Sequence, residues 1–426
     1  MAEHPLVRHD PAAPFARRGG RTVSAQQFLD AAARLASALP ERRYVINLCE
    51  DRFRFAVGFA AALLRGQVSL MPPNHAPHTI ERLRRDYAES YCLDDDFAAA
   101  GISRLPIKDI PDQQIAAIVF TSGSTGDPLP HPKSWGGLVA SASAELKALG
   151  VGVFPSLALL GTVPPQHMYG LESTVLMAMQ GALLMHAGRP FFPADICAEL
   201  EALPRPRALV TTPVHLRAVL DGASDVPAVD FLLCATAPLQ PQLAAEAEQR
   251  FGAPLLEIYG CTEAGQIASR RPTQTVEWSL FPQFRLRQDE RGTWVQGGHA
   301  RAELLLADVI ELRERERFVL HGRTADLVNI AGKRTSLASL NHHLNSIPGV
   351  RDGAFVVPRG DEAAVTRLAA FVVAPGLTSE FVLAALRQRI DPAFLPRPLC
   401  LVDQLPRNET GKLTRARLDA LVAKAG

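Results

Sequence analysis

Short apolar runs alternate with helix-period segments through the first two thirds of the chain. The runs YVINLC (44–49), QVSLM (67–71), AAIVF (116–120), LALLGTV (157–163), RALVTT (207–212) and FLLCAT (231–236) read as buried strands. Between them, SAQQFLDAAARLASAL (24–39) opens on Ser24, a capping residue, and repeats apolar side chains at helical spacing. The segments RFRFAVGFAAALLRG (52–66) and LQPQLAAEAEQRFG (239–252) also read as helices, the second closing on Gly252. Such alternation, with strands apolar along their whole length, predicts an α/β chain of layered, mostly parallel sheets with helices.

From about residue 276 the pattern changes. TVEWSLFPQFRLRQDERGTWVQ and AELLLADVIELRERERFVLHGR read as hairpins with polar turns, an antiparallel section appended to the parallel one. The run ELRERERF is read as a solvated strand-and-turn face; its alternating signs weaken the alternative of a patch for a phosphorylated partner. After HGRTAD comes a unit of about 100 residues with its own strands, GAFVV (353–357) and RLAAFVV (367–373), and a helix, SEFVLAALRQRI (379–390). The expected division is a large N-terminal domain, 1–323, and a small, mobile α+β C-terminal domain, 324–426, with the boundary near Arg323–Asp326.

Composition narrows the function classes. A chain of 426 residues exceeds one comfortable core. Its net charge of +1 gives no electrostatic case for nucleic acid or an anionic membrane. Six scattered cysteines without a CxxC pair read as free thiols in a reducing cytosol. The beginning, MAEHPLVRHDPAAP, is charged and broken by proline, unlike a signal peptide. The most lipid-like stretch, GLESTVLMAMQGALLMHAG, carries Glu172, Gln180 and His186, and reads as a buried helix running into a strand rather than a membrane span. The expectation is a soluble cytoplasmic protein.

Candidate chemistry starts at VFTSGSTGDPLPHPKSW (119–135). Thr121, Ser122, Gly123, Ser124, Thr125 and Gly126 follow an apolar strand; glycines turn amides toward an anion and hydroxyls add donors. A Walker-type loop would require GxxxxGK[ST] leading straight into a helix. Pro128, Pro130 and Pro132 forbid that here. A phosphate cradle and a plain surface turn both fit these residues alone. In LEIYGCTEAGQ (256–266), Gly260 permits a sharp turn, and Thr262 and Glu263 stand at a strand's carboxyl end. Glu263 there can hold Mg²⁺ against phosphate oxygens, or Thr262 and Glu263 can simply cap a helix. HGRTADLVNIAGKRTSLASL and LPRNETGKLTRARL, each alone, read as readily as surface features.

Taken in order, these motifs resemble the adenylate-forming superfamily of acyl-CoA synthetases, peptide-synthetase adenylation domains and beetle luciferases. The resemblance spans about residues 115–420. It implies that Thr121–Gly126 cradle the β- and γ-phosphates of ATP, and that Ala235, Thr236 and Ala237 form the adenine-binding segment. It further implies that Tyr259 stacks on adenine, Thr262 contacts the α-phosphate and Glu263 ligates Mg²⁺. Asp308 matches the aspartate that grips the ribose, assisted by Arg323. His167, in PPQHMYG, matches a residue at the entrance to the carboxylate pocket, and Lys412 the lysine bridging substrate carboxylate and α-phosphate. Gly332 matches the glycine that lets a phosphopantetheine arm, on CoA or an acyl carrier protein, pass close to backbone.

The chain departs from the family pattern in three places. Pro128 occupies the position of the phosphate-loop lysine, and the next lysine, Lys133, follows the insert LPHP, where it either reaches phosphate by another route or lies on the surface. The hinge position falls on Ala325, with Asp326 one residue later. Only about 115 residues precede the phosphate loop, so the N-terminal lobe is short. The resemblance implies an AMP-forming acid–thiol ligase that uses ATP and Mg²⁺ and passes the acyl group to CoA or a carrier protein. The compact form is similar to ligases of aryl-polyene and related pigment pathways, which implies an aromatic or hydroxyaryl acid. A fatty acyl-CoA synthetase and a non-catalytic nucleotide- or acyl-binding protein are the alternatives. A P-loop ATPase or kinase lacks its motif here.

Overall fold

The computed structural model describes residues 2–97, 106–122, 128–154, 156–300, 302–323, 327–330, 333–358, 367–407, 413 and 415–425. The first long helix, Ala25–Ala38, shows how local sequence fixes an element. Ser24 Oγ accepts the Gln27 amide at 3.2 Å, and Gln27 Oε1 accepts the Ser24 amide at 2.9 Å, a reciprocal capping box. Its buried stripe of Phe28, Ala32, Leu35 and Ala36 follows the helical repeat. The next helix, Arg52–Leu64, is capped by Asp51 and buried almost all round, as its unbroken apolar run requires.

Two sheets organise the larger part of the chain. In a five-stranded sheet, Ser90–Leu93, Tyr44–Asn47, Val68–Met71 and Ile115–Ser122 run parallel, in that order. Pro128–Ser134 closes its edge, antiparallel to Ile115–Ser122. At the centre of an eleven-stranded sheet, Leu184–His186, Ala158–Gly161, Arg207–Thr211, Phe231–Cys234 and Leu255–Cys261 are parallel. The antiparallel strands Gly265–Arg270, Trp278–Leu280, Arg317–Arg323 and Asp308–Arg313 extend that sheet. The mixed α/β architecture is the one expected, and the parallel strands match the apolar runs closely.

The proline segment differs from a stiff loop. Pro128, Pro130 and Pro132 lie in the outermost strand, paired opposite Ser122, Phe120 and Ile118. Because they alternate, the three missing amides lie on one side of that strand, and an edge strand tolerates this where a central one would not. The turn at Thr262 and Glu263 also differs from a helix start: it joins Leu255–Cys261 to the antiparallel strand Gly265–Arg270. The lipid-like stretch is, as read, a helix leading to the strand Leu184–His186, with a π-turn over Leu171–Leu176. No helix among the described residues is long and apolar enough to cross a membrane. Beyond residue 327, Val328, Leu340, Leu344, Phe355 and Val372 pack into a core whose described members all come from this last part of the chain.

Candidate active site

Four neighbouring parallel strands end at one edge of the large sheet, the place where open α/β sheets bind ligands. Ala158–Gly161 leads to Gln166 and His167, Phe231–Cys234 to Ala235–Ala237, and Leu255–Cys261 to Thr262 and Glu263. Arg52 braces the first of these loops. Fully buried, its guanidinium donates to the carbonyls of Gly188, Val163, Gly161 and His186 at 2.8, 2.8, 3.0 and 3.3 Å. Burial lowers its pKa to about 9, so it stays cationic at neutral pH. Gln166 Nε2 adds donations to Cys49 O and Asn47 O, and Tyr169 Oη donates to Leu233 O and Thr211 O. His167 Nδ1 accepts the Tyr169 amide at 3.3 Å, which starts the short helix after it.

On the other flank, Tyr259 Oη donates to Asp308 Oδ2 at 2.7 Å. The Tyr259 ring packs against Trp278 and Phe318. Asp308 and Arg323 are direct cross-strand partners, so the two residues expected at the ribose share one register position. Buried Glu257 holds Arg270 at 2.7 Å and accepts the Leu239 amide at 3.2 Å, tying the Ala235–Ala237 segment to the strand of Tyr259. Thr236 adopts φ +84°, a conformation a β-branched residue rarely takes outside functional turns. Gly260 is needed for the sharp turn: a Cβ there would lie 2.4 Å from the Gly265 carbonyl oxygen.

Glu263 is exposed at the tip of that turn. Lys133 Nζ donates to its carbonyl at 2.8 Å, and His131 Nε2 stands 3.7 Å from Oε1. Thus the edge strand brings the displaced lysine to the same turn as the candidate metal ligand. Burial lowers the His131 pKa, opposed by Glu263 and assisted by Lys133. Among the described residues no group of three or more His, Cys, Asp or Glu side chains could hold a metal. A single exposed carboxylate suits Mg²⁺ that arrives on phosphate oxygens rather than one caged by protein.

Residues 40–284 match the family described as AMP-binding enzyme, and residues 341–412 match its C-terminal domain. The chain belongs to the AMP-binding enzyme family. It is an AMP-forming acid–thiol ligase. A 4-coumarate–CoA ligase of Rhodobacter capsulatus is 30% identical over 306 residues, covering 70% of this chain and 74% of that protein. Another, from Halorhodospira halophila, is 29% identical over 323 residues, 71% of this chain and 76% of that protein. The o-succinylbenzoate CoA synthetase of Bacillus subtilis, solved with its acyl-adenylate intermediate, shares the fold, with a TM-score of 0.84, 17% identity and 98% coverage of both chains.

Behind the Glu263 turn the ligase has a feature that the sequence reading missed. Glu172, 1% exposed, accepts the Ser141 hydroxyl at 2.5 Å. Glu145, 0% exposed, faces Ser173 and Gln266, yet neither of its oxygens has a hydrogen-bond partner of good geometry. Burial pushes Glu145 up to about 8 and Glu172 up to about 7. His299 is driven down to about 4, first by burial and then by Lys133. The available signal in the sequence is two glutamates inside apolar helices. Thr121 and Ser122 end the strand Ile115–Ser122, whereas Gly123, Ser124, Thr125 and Gly126 lie outside the described residues. So do Lys412, Gly332, Ala325 and Asp326.

Proposed function

We propose that this ligase activates an aryl acid, in particular a hydroxyaryl acid, with ATP and passes the acyl group to a phosphopantetheine thiol on CoA or a carrier protein. The observation that carries this reading is the gathering of His167, Thr236, Tyr259, Thr262 and Glu263 along one sheet edge, with Asp308 held to Tyr259. The 4-coumarate–CoA ligases among its relatives support the aryl acid.

In this reading Ala235–Ala237 and Tyr259 hold adenine, and Asp308 and Arg323 hold ribose. Thr262 positions the α-phosphate, and Thr121–Gly126 cradle the leaving phosphates. Glu263 holds Mg²⁺, which when bound neutralises phosphate charge. The acid enters past His167. Its carboxylate attacks the α-phosphorus, the bond to the β-phosphate oxygen breaks, and pyrophosphate departs with that electron pair. Two anions must meet, so cationic side chains are needed at the point of attack. Lys412 supplies one there; Lys133, bonded to the Glu263 carbonyl, supplies another toward the pyrophosphate. In the second half-reaction a thiolate attacks the acyl carbon and AMP leaves. We assign residues 324–426 to a domain that turns for this step and lets the arm pass Gly332.

Acid-dependent ATP–pyrophosphate exchange over a panel of aryl and alkyl acids tests the reading, followed by thioester formation with CoA and with carrier protein. Exchange with aryl acids is expected, and exchange confined to alkyl acids overturns the substrate class. Lys412→Ala is expected to bind ATP normally while losing acyl-adenylate formation by on the order of 10²–10³-fold; unchanged pyrophosphate release contradicts its role.

A further inference from the structure

Beneath the Glu263–Gly265 turn lies a cavity of about 70 Å³, bounded by Lys133, Ser141, Met168, Glu172, Gly265 and His299 among others. It reaches from the Glu263 turn to a buried polar end. We propose that this cavity receives the distal end of the acid and that Glu172, held by Ser141 and facing His299, recognises a neutral hydroxyl group there. The inference rests on the acid-ligase reading above and assigns its specificity to named residues.

Three observations carry it. The backbone is shaped for the approach: Gly265 has φ +79°, and a Cβ on it would lie 2.8 Å from both Glu172 Oε1 and His299 Nε2. A bare glycine backbone therefore separates the two polar groups, and any larger residue would fill the space between them. Next, the polar lining is under-satisfied. Neither ring nitrogen of His299 has a hydrogen-bond partner of good geometry, and behind it the buried Gln266 Oε1 and both Glu145 oxygens lack one too. Unmade bonds at buried polar groups are costly, and a ligand that supplies a donor and an acceptor relieves that cost. Third, the cavity is small. A dry cavity of roughly 150 Å³ holds benzene, so about 70 Å³ accommodates a substituent and the ring edge that carries it, not an extended alkyl chain.

Charge selects among polar groups. Burial raises Glu172 to about 7, so a neutral carboxyl is well populated near neutral pH, and it keeps His299 uncharged; this end of the cavity therefore offers both donors and acceptors, with Lys133 also on the cavity wall. A phenolic hydroxyl, itself a donor and an acceptor, matches this set. A second carboxylate, such as the one o-succinylbenzoate carries, would meet Glu172 and drive it further from ionisation. Dicarboxylic acids are therefore expected to be poorer substrates than hydroxyaryl acids, although a protein of the same fold is named for one.

The test is ATP–pyrophosphate exchange by the full-length protein with matched acids: 4-coumarate against cinnamate, and 4-hydroxybenzoate against benzoate. A site built to bond a hydroxyl discriminates strongly against the analogue lacking it, so a kcat/KM preference on the order of 100-fold is expected. Glu172→Leu is expected to bring that ratio close to one. Ser141→Ala, a smaller change that frees the carboxyl, is expected to reduce it about fivefold to tenfold, which keeps the test decisive should Glu172→Leu fail to fold. Equal use of both acids by the wild-type protein overturns this inference and leaves the acid-ligase reading standing, as does a ratio that the folded variants do not move. Absence of exchange with every acid overturns both.

Discussion

Glu145→Gln replaces a fully buried carboxyl with a neutral group of the same shape, in the last turn of the helix Trp135–Ala148. The native carboxyl titrates near 8 because burial disfavours its charged form, against about 4.5 for a free glutamate. Between those values the folded protein holds a proton that the unfolded chain has released. Stability therefore falls as pH rises from about 4.5 to about 8, at about 1.4 kcal/mol per pH unit, and levels off above that window. Across the window the loss is on the order of 3–5 kcal/mol. The variant has no carboxyl to charge at this position, while Glu172 remains in both proteins. Thermal unfolding midpoints measured from pH 5 to pH 8.5 read the difference. Near pH 5 the two proteins are expected to melt alike; toward pH 8 the variant is expected to gain progressively. A difference that stays flat with pH refutes the claim that Glu145 is buried and protonated.

Three further substitutions examine the scaffold and the nucleotide side. Arg52→Met removes four donations to buried carbonyls. It is expected to cost on the order of 3–5 kcal/mol in urea unfolding and to raise KM for the acid; an unaltered unfolding midpoint contradicts the bracing role. Tyr259→Phe deletes the 2.7 Å bond to Asp308. KM for ATP is expected to rise about tenfold with KM for the acid unchanged, and equal effects on both would argue against a nucleotide-side role. Lys133→Met is expected to slow pyrophosphate formation by on the order of 10–100-fold; wild-type turnover would return Lys133 to the category of surface lysines.

The parallel strands were legible because each is buried on both faces and therefore apolar throughout. The Ser24 cap and the closing Gly252 marked helix ends for the same local reasons. His167, Tyr259, Glu263 and Asp308 were expected from the order of their motifs; for the first three the sheet edge accounts for that order, since successive parallel strands deliver successive loops to one place. The proline segment misled because three prolines argue against a helix without saying what replaces it; only pairing with Ile115–Ser122 reveals an edge strand. Glu145 and Glu172 were not legible as a pair. Their neighbours, Ser141, Ser173, Gln266 and His299, come from four separate segments, and tertiary packing alone shows that both glutamates face the interior.

In the proposed reaction this chain joins a hydroxyaryl acid to AMP before any thiol attacks. The most direct measurement is ATP–pyrophosphate exchange without thiol acceptor, with 4-coumarate and 4-hydroxybenzoate, tracking label from pyrophosphate into ATP. Exchange that depends on the acid and is accompanied by an acyl-adenylate is expected. Release of ADP and phosphate, or exchange absent with both acids, contradicts it.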